Sequence, residues 1–203
     1  MEKTVTLEGN QIRLRDWRKA DLSLFAQWME PGHRWQEFDG PYYPHPDAEE
    51  MEDILDRLGE RIKTGSWETP RLRLVIADRQ NNQLLGIVTW YWQSIETNWL
   101  SVGISIYDPV FWNRGLGAEA LGLWGDYLLA SLPDVVRLDL RTWSGNHGMM
   151  RLAEKLGYRL EARFRQARIV NGRYYDGIGY GILREEWQAR YPRGFAAFLR
   201  DRK

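Results

Sequence analysis

The chain has 203 residues, enough for one domain with a sizeable core, and its 28 lysines and arginines are balanced by 28 aspartates and glutamates, which argues against a nucleic-acid footprint or a polyanionic partner. It has no cysteine, so disulfides, thiolate metal sites and a cysteine nucleophile are excluded. The first ten residues lack an apolar signal region and no run approaches a membrane span, so a soluble cytoplasmic protein without a membrane partner is expected.

In chain order, residues 11–16 alternate Ile12 and Leu14 with arginines and predict a first strand, after which Asp21 is expected to cap a short helix with Leu22, Phe25 and Trp28 or Met29 inward. Residues 30–46 form a loop broken by prolines and glycines that carries four aromatics and the carboxylates Glu37 and Asp39. Such a loop either faces a substrate or packs over the core as a flap with its acids in water. Asp47 and Glu50 make a capping box for a helix with Met51, Ile54, Leu55, Leu58 and Ile62 on one stripe, ending near Thr64 and Gly65. Strands at 71–77 and 84–92 follow, joined tightly through Asn81 and Asn82.

The stretch 99–132 is the centre of the chain. It opens as a strand (Val102, Ile104, Ile106) and closes as a helix whose stripe includes Leu116, Ala120, Leu123, Trp124 and Leu128. Between them, Arg114-Gly115-Leu116-Gly117-Ala118 places two side-chain-free residues where a helix presents unpaired N–H groups, a site suited to phosphate. A kinase-type phosphate loop is excluded because Ala118 and Glu119 stand where Lys and Ser or Thr are needed. A dinucleotide fingerprint fits residues 115–120, with Asp139 ~20 residues beyond, but residues 107–114 separate the glycines from the strand that should precede them directly. A glycine-softened loop before an ordinary core helix is the remaining alternative.

After Pro133, residues 136–143 predict a strand parallel to 99–106. Asn146 starts a helix with Met149, Leu152, Ala153 and Leu156 on one face, ended by Lys155 and Gly157. Strands at 158–169 and 173–183 flank Asn171-Gly172, a strong hairpin signal. Gly177, Gly179 and Gly181 leave one strand face bare, where another backbone or helix is expected to approach. Residues 184–203, with Trp187, Tyr191, Phe195 and Phe198, predict a terminal helical extension interrupted at Pro192.

The order strand, Asp108-Pro109 turn, R-G-x-G-A-E-A helix, strand, and N-x-x-x-x-x-L-A-E-K-L-G-Y resembles the GNAT superfamily of N-acetyltransferases. The likeness covers 99–187 by motif and 11–97 by element order. Asp108-Pro109, Trp112, Glu119-Ala120, Tyr175-Asp176 and residues 183–187 are most similar to the branch with ribosomal-protein N-terminal and polyamine acetyltransferases. One β-α-β crossover in an antiparallel meander is also not how a dinucleotide domain is built. The resemblance implies a single α/β domain over 1–203, with a mixed, mostly antiparallel twisted sheet of about seven strands, a splayed central parallel pair, and helices on both faces.

It further implies that the backbone of Arg114, Gly115, Leu116, Gly117, Ala118 and Glu119 holds the pyrophosphate of acetyl-coenzyme A, the co-substrate. The pantetheine arm would run beside Ile104 and Ile106, with Asn146 bonding the arm and Lys155 facing its phosphates. Two family positions differ here. The tyrosine often used as general acid corresponds to Ala153, and a glutamate of some relatives to Ser101. The implied reaction is direct acetyl transfer to a primary amine, a peptide N-terminus or small amine, by a monomer or homodimer. Glu37 and Asp39 are candidates for general base and His147 for general acid, against plain readings as solvated loop charges and a polar helix-end residue. A non-catalytic acyl-coenzyme A binding module and, more remotely, a nicotinamide-linked oxidoreductase are the competing functions.

Overall fold

A computed structural model describes residues 4–201; residues 1–3 of the leading segment and 202–203 of the terminal extension lie outside the described residues. In chain order the elements are β1 (Thr6–Glu8), β2 (Ile12–Arg15), α1 (Asp21–Met29), a 3-10 turn at Arg34–Glu37, α2 (Ala48–Thr64), β3 (Arg73–Asp78), β4 (Leu84–Ser94) and β5 (Trp99–Ile106). They continue with α3 (Leu116–Ser131), β6 (Arg137–Trp143), α4 (His147–Leu156), β7 (Arg159–Val170), β8 (Arg173–Leu183), α5 (Arg184–Arg190) and α6 (Phe195–Arg200). The strands form one sheet in the order β1-β2-β3-β4-β5-β6-β8-β7, antiparallel throughout except for the parallel neighbours β5 and β6. The eighth strand, unforeseen, is β1: three residues are too few to display a period.

Local chemistry accounts for most element ends. The Asp47 carboxylate accepts from the Glu50 N–H at 2.9 Å while the Glu50 carboxylate accepts from the Asp47 N–H at 3.0 Å, so two orphan donors of α2 are satisfied reciprocally. At the hairpin, Asn171 and Gly172 both take positive φ (51° and 73°), the conformation that matches the twist of the strands they join. Asp21 departs from expectation. Ala20 is the N-cap of α1, and Asp21 is buried in the first turn, where it accepts from the Arg15 guanidinium at 2.7 and 2.8 Å and from the Arg18 N–H at 2.7 Å. It therefore ties α1 to β2, and losing either partner would strand a buried charge.

Alternation along the strands feeds two cores. Leu74, Ile76, Val88, Leu100, Val102, Leu138, Leu140, Ile178 and Ile182 face α3, α4 and the terminal helices. Val75, Ala77, Leu84 and Tyr107 face α1 and α2 with Trp17, Phe25, Trp35 and Leu58. This second core draws nothing from β6, β7 or β8, so α1 and α2 cover only the leading half of that face. Helix α3 is buried on nearly every side rather than along one stripe, because α6 closes its outer face with Phe195 lying flush on Gly122. The terminal helix is split at residues 191–194, as Pro192 requires. The bare face of β8 is filled by neighbouring strands, not by a helix or another backbone: Phe164 and Ala167 stand over Gly177, Ala162 over Gly179, and the Arg137–Glu161 pair over Gly181.

Candidate active site

The parallel pairing of β5 and β6 lasts for two residues, Leu100 opposite Leu138 and Ser101 opposite Asp139. Beyond them β5 stays with β4 as far as Ile106, and β6 stays with β8 as far as Trp143, so the two central strands part and face each other across a gap. The Tyr107 N–H donates to Leu85 O at 2.9 Å, which sets the parity of β5: by alternation the main-chain groups of Ile104 and Ile106 point into the gap. The Trp112 indole donates to Ile106 O at 2.8 Å, so the carbonyl is held and the Ile106 N–H faces the opening.

A groove of about 550 Å³ runs from this gap to the start of α3. Ile104 and Ile106 line one side, Gly115, Gly117 and Ala118 one end, and Asn146, His147, Met149, Arg151, Leu152 and Lys155 the α4 wall. Asn113 and Gly115 take positive φ (59° and 89°) and turn the chain abruptly into the helix. Gly117 is squeezed: a Cβ there would lie 3.3 Å from Leu152 Cδ2. The first backbone N–H of α3 to find a helical acceptor is that of Glu119, on Gly115 O at 3.1 Å, which leaves the preceding amides at the groove end without an i−4 partner.

Four of the expected cofactor residues stand differently. Glu119 is buried and its carboxylate accepts from the N–H groups of Gln11 and Ile12 at 2.8 and 3.1 Å, fastening α3 to the start of β2. Its own N–H is also spent inside the helix, on Gly115 O. The Leu116 side chain belongs to the core, and Arg114 is exposed outside the groove lining. Asn146 caps α4 by accepting from the Met149 N–H at 3.0 Å, and its amide donates to Phe38 O at 3.1 Å instead of standing open for a pantetheine arm. Arg151 was not anticipated, although its spacing gave the signal: His147, Arg151 and Lys155 follow one another at four-residue intervals and so share one face of α4.

At the gap, residues of the first long loop arch over the parted strands. The Phe38 carbonyl accepts from Trp143 Nε1 at 3.2 Å as well as from Asn146, and the next residue, Asp39, accepts from Ser105 Oγ at 2.7 Å. The strap is thus fixed to β5, β6 and α4 together. Asp39 lines the groove with its outer edge open to solvent, and the protein around its carboxylate raises its pKa, an effect opposed by the Ser105 hydroxyl and the charge of His45. Glu37, two residues earlier, is exposed and stands outside the groove. His147 is exposed on the rim at the start of α4.

Ala153 is fully buried against the sheet, and Ser101 is fully buried and accepts from Gln93 Nε2 at 3.0 Å, so neither position presents an acid or base to the groove. The hydroxyl of Tyr107 is buried without a hydrogen-bond partner among the described residues, beneath Phe25, Trp28 and Trp35. Burial, then the charge of Asp39, pushes its pKa far up and keeps it neutral. Asp139, the acid a dinucleotide site would need, is buried and accepts from Trp99 Nε1 and Arg137 Nε, both at 2.7 Å. With that acid committed and β5 paired antiparallel to β4, the dinucleotide reading fails.

Residues 11–159 match the sequence model of the acetyltransferase (GNAT) domain. An uncharacterised prophage-derived N-acetyltransferase of Bacillus subtilis is 24% identical over 183 residues, 90% of this chain and 96% of that protein. Among solved structures, ribosomal-protein-S5-alanine acetyltransferase from Vibrio fischeri superposes with a TM-score of 0.68 at 18% identity, covering 90% of this chain and 98% of its own. Spermidine N-acetyltransferase from Vibrio cholerae, in complex with CoA and spermine, gives a TM-score of 0.68 at 19% identity, over 87% of this chain and 98% of that one.

Proposed function

The chain belongs to the GNAT acetyltransferase family and is an acetyl-coenzyme A dependent acetyltransferase, and from that premise we propose that it acetylates a primary amine by direct attack, with Asp39 as the general base. The observation that carries this is one continuous groove with free helix-start amides and cations at one end and a single carboxylate at the other. The residues suit the co-substrate. His147, Arg151 and Lys155 have no carboxylate within 4.0 Å among the described residues, an arrangement that favours a polyphosphate over a neutral ligand. When bound, acetyl-coenzyme A supplies an acetyl group already activated as a thioester.

The chain's own residues do the rest. Arg151, Lys155 and the amides of 115–118 hold phosphates; Gly117, lacking a side chain, lets Ile106 and Leu152 close on a thin arm. Asp39 removes the proton that an incoming ammonium must lose before its lone pair is nucleophilic. The Ile106 N–H, fixed by the β4 pairing and by Trp112 on the adjoining carbonyl, is a preoriented donor for an oxygen that gains charge. The absence of cysteine removes a thiol acyl-enzyme route, in keeping with direct transfer.

Calorimetry with acetyl-coenzyme A, followed by thiol release across peptides, polyamines and simple amines, tests the proposal. Binding together with turnover of any amine supports it. Binding with no turnover on any acceptor favours the non-catalytic module, to which the buried Ala153 lends its one specific support. No binding removes both.

A further inference from the structure

The charges around the acceptor side point to what kind of amine enters. On the face opposite α3 and α4, β6 presents Asp139, Arg141 and Trp143 by alternation, and Trp143 is bonded to the strap that carries Asp39. The carboxylates on this face are already satisfied. Asp139 and Glu161 share Arg137; Asp176, on the other face of β8 by alternation, accepts from the Gln166 N–H at 3.0 Å with Arg163 3.5 Å away. Among the described residues the Asp39 carboxylate has the Ser105 hydroxyl as its one hydrogen-bond partner and is the one acid lining the groove, so it is open to meet a cation.

The cations show the reverse pattern. Arg141 lies over the Trp99 ring, 5.6 Å from its centroid, and Arg168 lies over the Tyr42 ring at 4.7 Å. Neither guanidinium has a carboxylate within 4.0 Å among the described residues, and Arg168 Nε is shielded from solvent with no acceptor. Trp99 stands six residues down β5 from Ser105, ~20 Å along the strand. Arg168 pairs with Tyr175 across the hairpin, and Tyr175 packs on Trp143 at 4.8 Å.

Resting on the acetyltransferase reading above, we propose that the acceptor is a monoamine on an acidic chain, an N-terminal amine followed within a few residues by aspartate or glutamate, whose ammonium meets Asp39 and whose carboxylates meet Arg141 and Arg168. A polyamine would bring several cations to a face with one free acid and the guanidiniums of Arg141 and Arg168, neither of them paired with a carboxylate, which costs repulsion without return. An N-terminal peptide places one cation at Asp39 and its anions outward. The atoms balance: the N–C bond to the acetyl forms and the C–S bond breaks, the ammonium gives one proton to Asp39 and from there to solvent, and the second proton that the nitrogen sheds on becoming an amide passes through solvent to the released thiolate.

The test compares kcat/KM by thiol release for matched peptides with Asp-Glu, Ser-Ser or Lys-Lys at positions two to five, and for spermidine, on the full chain and on Arg141→Ala, Arg168→Ala and Arg141→Glu. The acidic peptide should lead the basic one by about tenfold, and each alanine variant should narrow that lead by about threefold, the size of one partly exposed ion pair. Arg141→Glu should shift preference toward the lysine peptide while acetyl-coenzyme A affinity by calorimetry stays the same, a readout that a folding defect would not spare. Equal or better turnover of spermidine or the lysine peptide, or a preference unmoved by all three variants, overturns the proposal and leaves the acetyltransferase reading standing. Failure to turn over any acceptor overturns both.

Discussion

The two ends of the groove are assembled on different plans. The phosphate end is contiguous chain: residues 113–118 turn into α3, and His147, Arg151 and Lys155 repeat along a single helix. The acetyl end is a meeting of distant segments, Phe38 and Asp39 from the first loop, Ser105 and Ile106 from β5, Trp143 from β6 and Asn146 from the start of α4. A binding end made of local main chain tolerates change outside its few glycines, whereas a reacting end made of long-range hydrogen bonds depends on each of them. The first should fail through affinity and the second through turnover.

The largest effect expected from breaking the acetyl end is Asp39→Asn, which removes the base and should lower kcat by about a hundredfold or more, with acetyl-coenzyme A affinity retained. Its pH behaviour follows from the direction of the shift. Because the protein packed around its carboxylate raises the folded-state pKa of Asp39, which is otherwise open to solvent, the basic form, and with it kcat/KM, is lost as pH falls through a value above the usual carboxylate ~4. The same shift costs stability once pH exceeds the unfolded value, where the folded state must hold a charge it disfavours. Asp39→Asn should therefore melt higher than the parent at neutral pH, and the difference should vanish in acid; an equal or lower melting point at neutral pH would contradict the shift.

At the opposite end, Gly117→Trp should abolish measurable acetyl-coenzyme A binding by calorimetry, because the ring has nowhere to go but the groove between Leu152 and Ile106. Retained folding is checked by circular dichroism. Asn146→Ser separates the two jobs of one residue. Serine keeps the α4 cap but has no amide to hold Phe38 O, so turnover should fall about fivefold, one hydrogen bond's worth, while the melting temperature barely moves. Rescue of turnover by Asn146→Gln would not be expected, since the longer side chain loses the cap geometry. The smallest effect belongs to Arg151→Ala, about threefold weaker coenzyme binding at low salt, fading as ionic strength rises. A salt-independent loss would instead place Arg151 in packing.

Legibility in the sequence divided along the same line. Helix starts and stops written within four residues, the Asp47–Glu50 box, the Gly157 stop and the Asn171-Gly172 turn, needed only local chemistry, and the phosphate end was readable for the same reason. The resemblance implies only a main-chain role for Glu119, and nothing local shows that its carboxylate is spent on β2, 107 residues away in sequence. Arg151 was readable by spacing and was passed over. Glu37 and Asp39 were indistinguishable as letters two apart in one loop; the turn at Arg34–Glu37 sends one to solvent and the other to Ser105.

By itself the sequence determined the element order, the mixed sheet with one parallel crossover, and an anion-receptive helix start, since these follow from periods of two and 3.6 and from where glycine and asparagine relieve backbone strain. The tertiary structure alone decided which acid reaches the parted strands, that Asn146 and Trp143 hold the strap above them, and which arginines are left without a carboxylate. Those depend on segments brought together from across the chain, and no periodicity records which of several like charges will find its counterpart there.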